Sequence, residues 1–222
     1  MRRLVALPCA AVLALVAAGG AAATNECRGL QTCVPVAGPW VVAAPGSEVS
    51  YQLACPEKYV VAGLDAELSR RGVEVTFRGN LGAPVNPGVT TSSSVVFFGR
   101  LLTQGAAATF RPHIGCIPAQ GGGQRFPVVY EPVAPSTPTP PASTQFRISA
   151  GVHGYAARCP ADRRLIDATH AIGFYTPSPP SPSLLDRISV EQTTTGNVVK
   201  LVVRAGALSG VKVVVQLDVE CA

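Results

Sequence analysis

The side chains best equipped for chemistry in this 222-residue chain are seven cysteines and three histidines. A thiolate or imidazole beside a suitable partner can bind metal, attack a carbonyl or, for cysteine, close a cross-link. Cys9 stands inside an N-terminal apolar run, apart from Cys27, Cys33, Cys55, Cys116, Cys159 and Cys221. No Cys-x2-Cys pair occurs, and no histidine lies near Cys27 or Cys33. Zinc needs closer, convergent ligands. His113, His153 and His170 do not stand two or four residues apart, so no metal ion or other cofactor is expected. With all six later cysteines bridged, no thiol remains to act as a nucleophile.

Other catalytic patterns are equally thin. Gly206-Ala-Leu-Ser209-Gly210 lacks the spacing of a nucleophile elbow and reads as a hairpin turn. Asp65 and Glu67 can share one strand face, but glycoside hydrolysis needs two carboxylates facing each other across a cleft. With Arg70 and Arg71 close by, both read as exposed charges. His113 reads as a surface residue, His153 as part of a turn before Gly154, and His170 as a strand residue. Gly121-Gly122-Gly123 lacks the lysine of a phosphate-binding loop. These absences point to a non-catalytic protein. A hydrolase assembled from distant residues is the alternative, because triad members need not be close in sequence.

The elements that position these residues begin after residue 23. Arg2 and Arg3 precede the apolar stretch Leu4–Val16, and Ala21-Ala22-Ala23 fits a small-residue cleavage site. Residues 1–23 therefore read as a secretory signal peptide. The stretch is too short and too rich in Ala and Gly to span a membrane, and no second long apolar run follows. A lipoprotein anchor does not fit, since Cys27 follows Thr24-Asn25-Glu26 rather than small apolar residues. The expected location is secreted or cell-envelope. Cleavage leaves 199 residues and lowers the formal charge from +5 to +3. That charge is too weak and scattered to indicate nucleic acid.

An internal repeat orders the six cysteines. Tyr51-Gln-Leu-Ala-Cys55-Pro56 matches Tyr155-Ala-Ala-Arg-Cys159-Pro160. Each motif is followed by a β-rich stretch and closed by a later cysteine, Cys116 or Cys221. The closing segments align too, Phe110–Cys116 with Val215–Cys221. In the second, Val211, Val213, Val215, Leu217, Val219 and Cys221 fall on one face, while Lys212, Gln216, Asp218 and Glu220 fall on the other. This is the period-two pattern of a strand with one buried face. Pro112 interrupts the first closing segment and requires an edge strand or a bulge there. The expected bridges are Cys55–Cys116, Cys159–Cys221 and, by remainder, Cys27–Cys33.

The chain thus divides into a signal peptide (1–23), a Cys-stapled lead-in (24–37), a first domain (38–118), a Gly/Pro/Thr-rich linker (119–144) and a second domain (145–222). Expected strands lie near 39–44, 48–54, 58–66, 72–78, 95–102 and 106–116. In the second domain they lie near 145–150, 153–158, 164–173, 186–192, 197–204 and 211–221. With 22 Gly, 20 Pro and 14% charged residues, the fold class reads as all-β. It comprises two tandem antiparallel β-sandwiches, immunoglobulin-like in size, related by the repeat and each holding one internal disulfide. Trp40 precedes Cys55, so the core tryptophan of immunoglobulin domains is missing between the cysteines and only a generic sandwich follows. A small β-barrel is the alternative fold.

Function is then a question of surfaces. Within linker residues 119–144, Phe126–Tyr130 is apolar enough to add a strand. The domain-specific loops are 79–94 and Thr176–Ser183, and loops on rigid sandwiches carry variable contacts. Aromatics make up only 6%, which leaves Trp40, Tyr130 and the Phe174-Tyr175 pair as platforms for a glycan. Alternation sends one of Phe174 and Tyr175 away from the core, and Tyr175 is the first choice for a ligand contact, with Phe174 and Trp40 behind it. The expectation is an extracellular binding or adhesion module whose ligand is a cell-wall glycan or another protein. A protease inhibitor using the rigid Thr176–Ser183 loop is a further alternative. The Ala, Val, Gly, Pro and Arg bias fits a high-GC bacterial genome.

Peptide mapping without reduction should yield the Cys55–Cys116, Cys159–Cys221 and Cys27–Cys33 peptides. A Cys55–Cys159 peptide would overturn the repeat-based pairing.

Overall fold

The computed structural model describes residues 24–30, 33–79, 93–119 and 142–222. The expected signal peptide (1–23), most of loop 79–94 and most of the expected linker, with Phe126–Tyr130, lie outside the described residues. Among the described residues, thirteen strands and one helical turn follow in order. They are β1 (Val34–Ala37), β2 (Trp40–Ala43), β3 (Glu48–Ala54), β4 (Tyr59–Leu68), β5 (Val73–Gly79), β6 (Ser94–Leu101) and β7 (Ala108–Pro118). In the second half come β8 (Ala142–Ile148), which takes in the last three residues of the expected linker, β9 (Gly151–Arg158), β10 (Leu165–Tyr175), α1 (Pro182–Leu185), β11 (Ile188–Thr195), β12 (Val198–Ala205) and β13 (Lys212–Cys221). All named strand pairs are antiparallel, as the period-two patterns require.

The strands form one seven-stranded sheet and two three-stranded sheets. In the large sheet β7 pairs with β4 on one side and with β1 and then β2 on the other. β2 continues to β10, β10 to β13 and β13 to β8. The small sheets run β3-β6-β5 and β9-β12-β11. Each half of the chain uses the same pairing scheme. β2-β7-β4 and β3-β6-β5 in the first half correspond to β8-β13-β10 and β9-β12-β11 in the second.

The join between the halves is short. Val41 of β2 stands opposite Gly173 of β10, and Trp40 opposite Phe174. Because side chains alternate across a strand, β2 serves two cores at once. Val41 and Ala43 pack with Tyr51, Phe97, Phe110 and Ile114 of the first half. Trp40 and Val42 pack with Phe174, Leu201, Val213 and Leu217 of the second. β10 and β13 divide likewise, with Ala171 and Val214 entering the first core. The two small sheets therefore cover opposite faces of the large one. The period-two pattern of β13 marks the second core correctly, but its polar face is not a solvent face. Gln216 and Asp218 are buried against the first half.

All three expected bridges are present, Cys27–Cys33, Cys55–Cys116 and Cys159–Cys221. Each long bridge has a Cα–Cα distance of 5.8 Å, within the ordinary range. In the chain-entropy picture each long loop contributes about 4 kcal/mol and the short one about 2 kcal/mol. A β-bulge lies in the strand after each first cysteine, between Val61 and Gly63 and between Leu165 and Asp167, opposite the partner cysteine.

Pro112 sits in β7, an interior strand, and a bulge accommodates it. Ala37 pairs with His113 but Val41 pairs with Phe110, so the β1–β2 side carries one extra residue. The Gly38 N–H donates to the Pro112 carbonyl (2.8 Å), which places the proline's missing donor on the same interrupted side.

Trp40→Ala should lower the unfolding free energy by about 3–5 kcal/mol in chemical denaturation. It should also speed amide exchange in β13, far away in sequence. Trp40→Phe should be much milder, because the indole N–H has no hydrogen-bond partner among the described residues. An effect of Trp40→Ala confined to the first half would contradict the shared sheet.

Candidate functional site

Two polar layers cover the outer faces of the large sheet, and a groove opens at the end of one of them. The first layer lies where the small sheet of the first half meets β10 and β13. The Ser50 hydroxyl donates to Asp218 Oδ2 (3.1 Å) and bonds Thr169 Oγ1 (2.8 Å). The Gln216 side-chain amide accepts from Gln52 N (2.5 Å) and donates to the Gln52 carbonyl (3.0 Å). It thus closes the edge of β3 as a neighbouring strand would. Burial raises the Asp218 carboxyl above its ordinary value, against the lowering effect of hydrogen bonds from Ser143 and Ser50.

The second layer lies under the lead-in. Asn25 N donates to Asp65 Oδ2 (2.7 Å), and Thr24 Oγ1 donates to Glu26 Oε1 (3.0 Å). His113 Nδ1 lies 3.7 Å from Glu26 Oε1, and His113 Nε2 lies 3.6 Å from Glu67 Oε2. Arg111 Nη1 lies 3.8 Å from the same Glu67 oxygen. A Cβ on Gly63 or Gly115 would run into the Glu26 carbonyl, so glycine at both places lets the lead-in lie flat on the sheet. His113, expected at the surface, is only 5% exposed because the lead-in covers it. Asp65 and Glu67 do not meet Arg70 and Arg71; they meet the lead-in, His113 and Arg111, while Arg70 donates to the Ala106 carbonyl. Counted from the cysteines, Asp65, Arg111 and His113 correspond to Thr169, Gln216 and Asp218. The lead-in thus covers in the first half what β3 covers in the second.

The aromatic candidates separate sharply. Trp40 is 4% exposed and Phe174 fully buried, so neither offers a ring face to a ligand. Tyr175 does point away from Phe174, as alternation requires, but toward the first core, where it is half-buried. Tyr51 is buried too, and Gln145 Nε2 donates to its hydroxyl (2.9 Å). Burial and the adjoining Tyr175 push the Tyr51 phenol well above its usual range. The other face of Tyr175 takes Lys212, whose Nζ lies 4.2 Å from the ring centroid.

Lys212 leads into the groove, of about 340 Å³. Arg147, Ile148, Ser149 and Ala150 form one wall, and Leu208–Lys212 form the other. The second wall is a tight turn, closed by Val211 N donating to Leu208 O (2.9 Å), with Ser209 and Gly210 at positive φ; it is not the expected hairpin, because β12 and β13 lie in different sheets and do not pair. Arg147 stands opposite Val214, and Lys212 opposite Tyr175, so both cations rise from the same sheet face. Neither makes an ion pair among the described residues. The Arg187 guanidinium donates to Ala207 O (2.5 Å) beside the same turn.

The remaining candidates sit apart. His153 lies within β9 rather than in a turn and donates through Nε2 to the Ser149 carbonyl (2.9 Å). His170 Nδ1 meets Gln192 Oε1 (2.8 Å). The Thr176–Ser183 loop is folded on itself through Thr176 Oγ1 donating to Ser178 O (2.7 Å) and then enters α1. Phe146 and Tyr155, neither of them among the expected platforms, form a stacked pair with centroids 4.0 Å apart. Tyr155 stands in the repeated Tyr-x-x-x-Cys motif, which was the available signal. No group of metal-binding side chains occurs among the described residues, nor any helix long and apolar enough to cross a membrane. Comparison with known protein families, curated proteins and solved structures found no match.

Asp218→Asn should stabilise the protein at neutral pH. The raised carboxyl means the folded state holds its proton to higher pH than the unfolded state does, so Asp218 weakens folding progressively as pH rises through that interval. The gain in melting temperature from Asp218→Asn should be absent at acid pH, grow through the carboxyl range and then level off. A gain independent of pH would contradict this account.

Proposed function

We propose that this chain is an exported, non-catalytic binding module that takes an acidic ligand in the groove between Arg147 and Lys212. The observation that carries the reading is the pair of cations on neighbouring strands, with no carboxylate partner among the described residues and set at the mouth of a concavity. A carboxylate or phosphate group between them gains two charge-assisted contacts without breaking an existing ion pair. Tyr175 fixes Lys212 from behind and leaves its ammonium directed by the ring face. The three disulfides fit an oxidising compartment outside the cytosol. Among ligands available there, an acidic wall glycan suits the groove better than a neutral one, because two cations and no exposed aromatic ring line it, while Trp40 and Phe174 are buried.

Purified protein should bind an acidic wall polysaccharide and not a neutral glucan of similar length, with affinity falling as salt rises. Lys212→Glu together with Arg147→Glu should weaken binding at least tenfold while leaving the melting temperature within a few degrees. Equal retention on the neutral polymer, or no effect of the double substitution, would overturn the proposal. Binding to acidic proteins alone would move the reading from a glycan to a protein ligand.

A further inference from the structure

We infer that β9 is a self-pairing edge, through which two copies of this chain join about a two-fold axis at Tyr155. The reason begins with the fate of the same edge in the first half. There β3 is closed by the Gln216 amide on Gln52, and Tyr51 is fully buried. Counting back from each cysteine, Gln52 corresponds to Ala156 and Tyr51 to Tyr155. Neither has such a cover in the second half, where Ala156 is exposed and Tyr155 half-exposed. β9 pairs on one side only among the described residues, with β12.

The direction of its free backbone groups follows from a single hydrogen bond. Cys159 N donates inward to Asn197 O (3.1 Å), so by strand alternation Val152, Gly154, Ala156 and Arg158 direct their N–H and C=O groups outward. An unpaired edge of this kind is a template for another strand.

The partner is a second β9, because the sequence Gly151–Arg158 is complementary to itself when reversed. With the axis at Tyr155, Gly154 meets Ala156 of the other copy and Val152 meets Arg158. No like charges oppose each other, and the outer face in the middle carries only Gly154 and Ala156, so nothing bulky blocks the approach. The Tyr155 ring, already stacked on Phe146, meets its own counterpart. Val152, 70% exposed and the most exposed of the large apolar side chains among the described residues, is covered by the Arg158 stem. An isologous contact of this type closes at two copies.

Sedimentation of the disulfide-intact mature chain across a concentration series should show a reversible dimer. Ala156→Pro removes an outward donor without touching the bonds to β12, and should give a monomer with an unchanged circular dichroism spectrum. Val152→Lys places like charges together twice across the axis, and Val152→Glu places opposite charges together twice. The first should raise the dissociation constant roughly tenfold and the second should lower it by a similar factor. A monomer at every concentration would overturn the inference. A dimer that responds equally to both Val152 substitutions, or ignores Ala156→Pro, would also overturn it. Groove binding by Arg147 and Lys212 is read separately, so failure there leaves this test intact.

Discussion

Two facing residue pairs, Trp40 with Phe174 and Val41 with Gly173, carry the large sheet across from one half of the chain to the other. Once that crossing exists, neither face of the sheet near it can remain bare. Each small sheet takes one face, and each strand at the crossing must present suitable side chains on both. β2 meets this with Trp40 and Val42 on one side and Val41 and Ala43 on the other. Gly173 meets it by having no side chain, since a Cβ there would clash with Pro39. A segment of four residues near the N-terminus is thereby built into the core of residues more than a hundred positions later.

The crossing also explains the polar layers. Asp218, Gln216 and Thr169 belong to strand faces that an isolated sandwich would leave in water. In this fold they lie against β3, and each needs a partner there, because an unsatisfied buried polar group costs about 1–3 kcal/mol. Ser50 and Gln52 provide those partners. Such bonds add only about 1 kcal/mol each in net stability, so their larger effect is on register. Gln216 can satisfy both backbone groups of Gln52 in one alignment of the halves only. At the far end the corresponding face has no second sandwich, and the disulfide-stapled lead-in lies over it, held by Asn25 on Asp65 and Glu26 beside His113.

The groove is a product of the same arrangement. Tyr175 is held from one side by the Tyr51 region of the first half and carries Lys212 on its other side. Strand alternation correctly separates Phe174 from Tyr175, but it cannot say that a second sheet waits on the far face. Arg147 could not be singled out either, since it acquires meaning only when β8 pairs with β13 in the register that sets it across from Val214. Ser209 and Gly210 were legible, because a Ser-Gly pair between alternating apolar strands specifies a tight turn.

By itself the sequence determined the all-β class, the positions of the strands other than β1 (Val34–Ala37), the inward rows of β7 and β13 and the cysteine pairing. These depend on periodicity, turn residues and spacing, all of which are local or repeat along the chain. The tertiary structure alone decided whether the opposite, polar rows face water. His113 and Asp218 sit in polar rows, and period two assigns such rows to solvent. Whether solvent is there depends on what packs above, which is set by contacts between β2 and β10 and between the lead-in and β7. Those contacts join residues distant in sequence and leave no periodic trace, so the burial of a histidine and an aspartate was settled by neighbours their own strands do not encode.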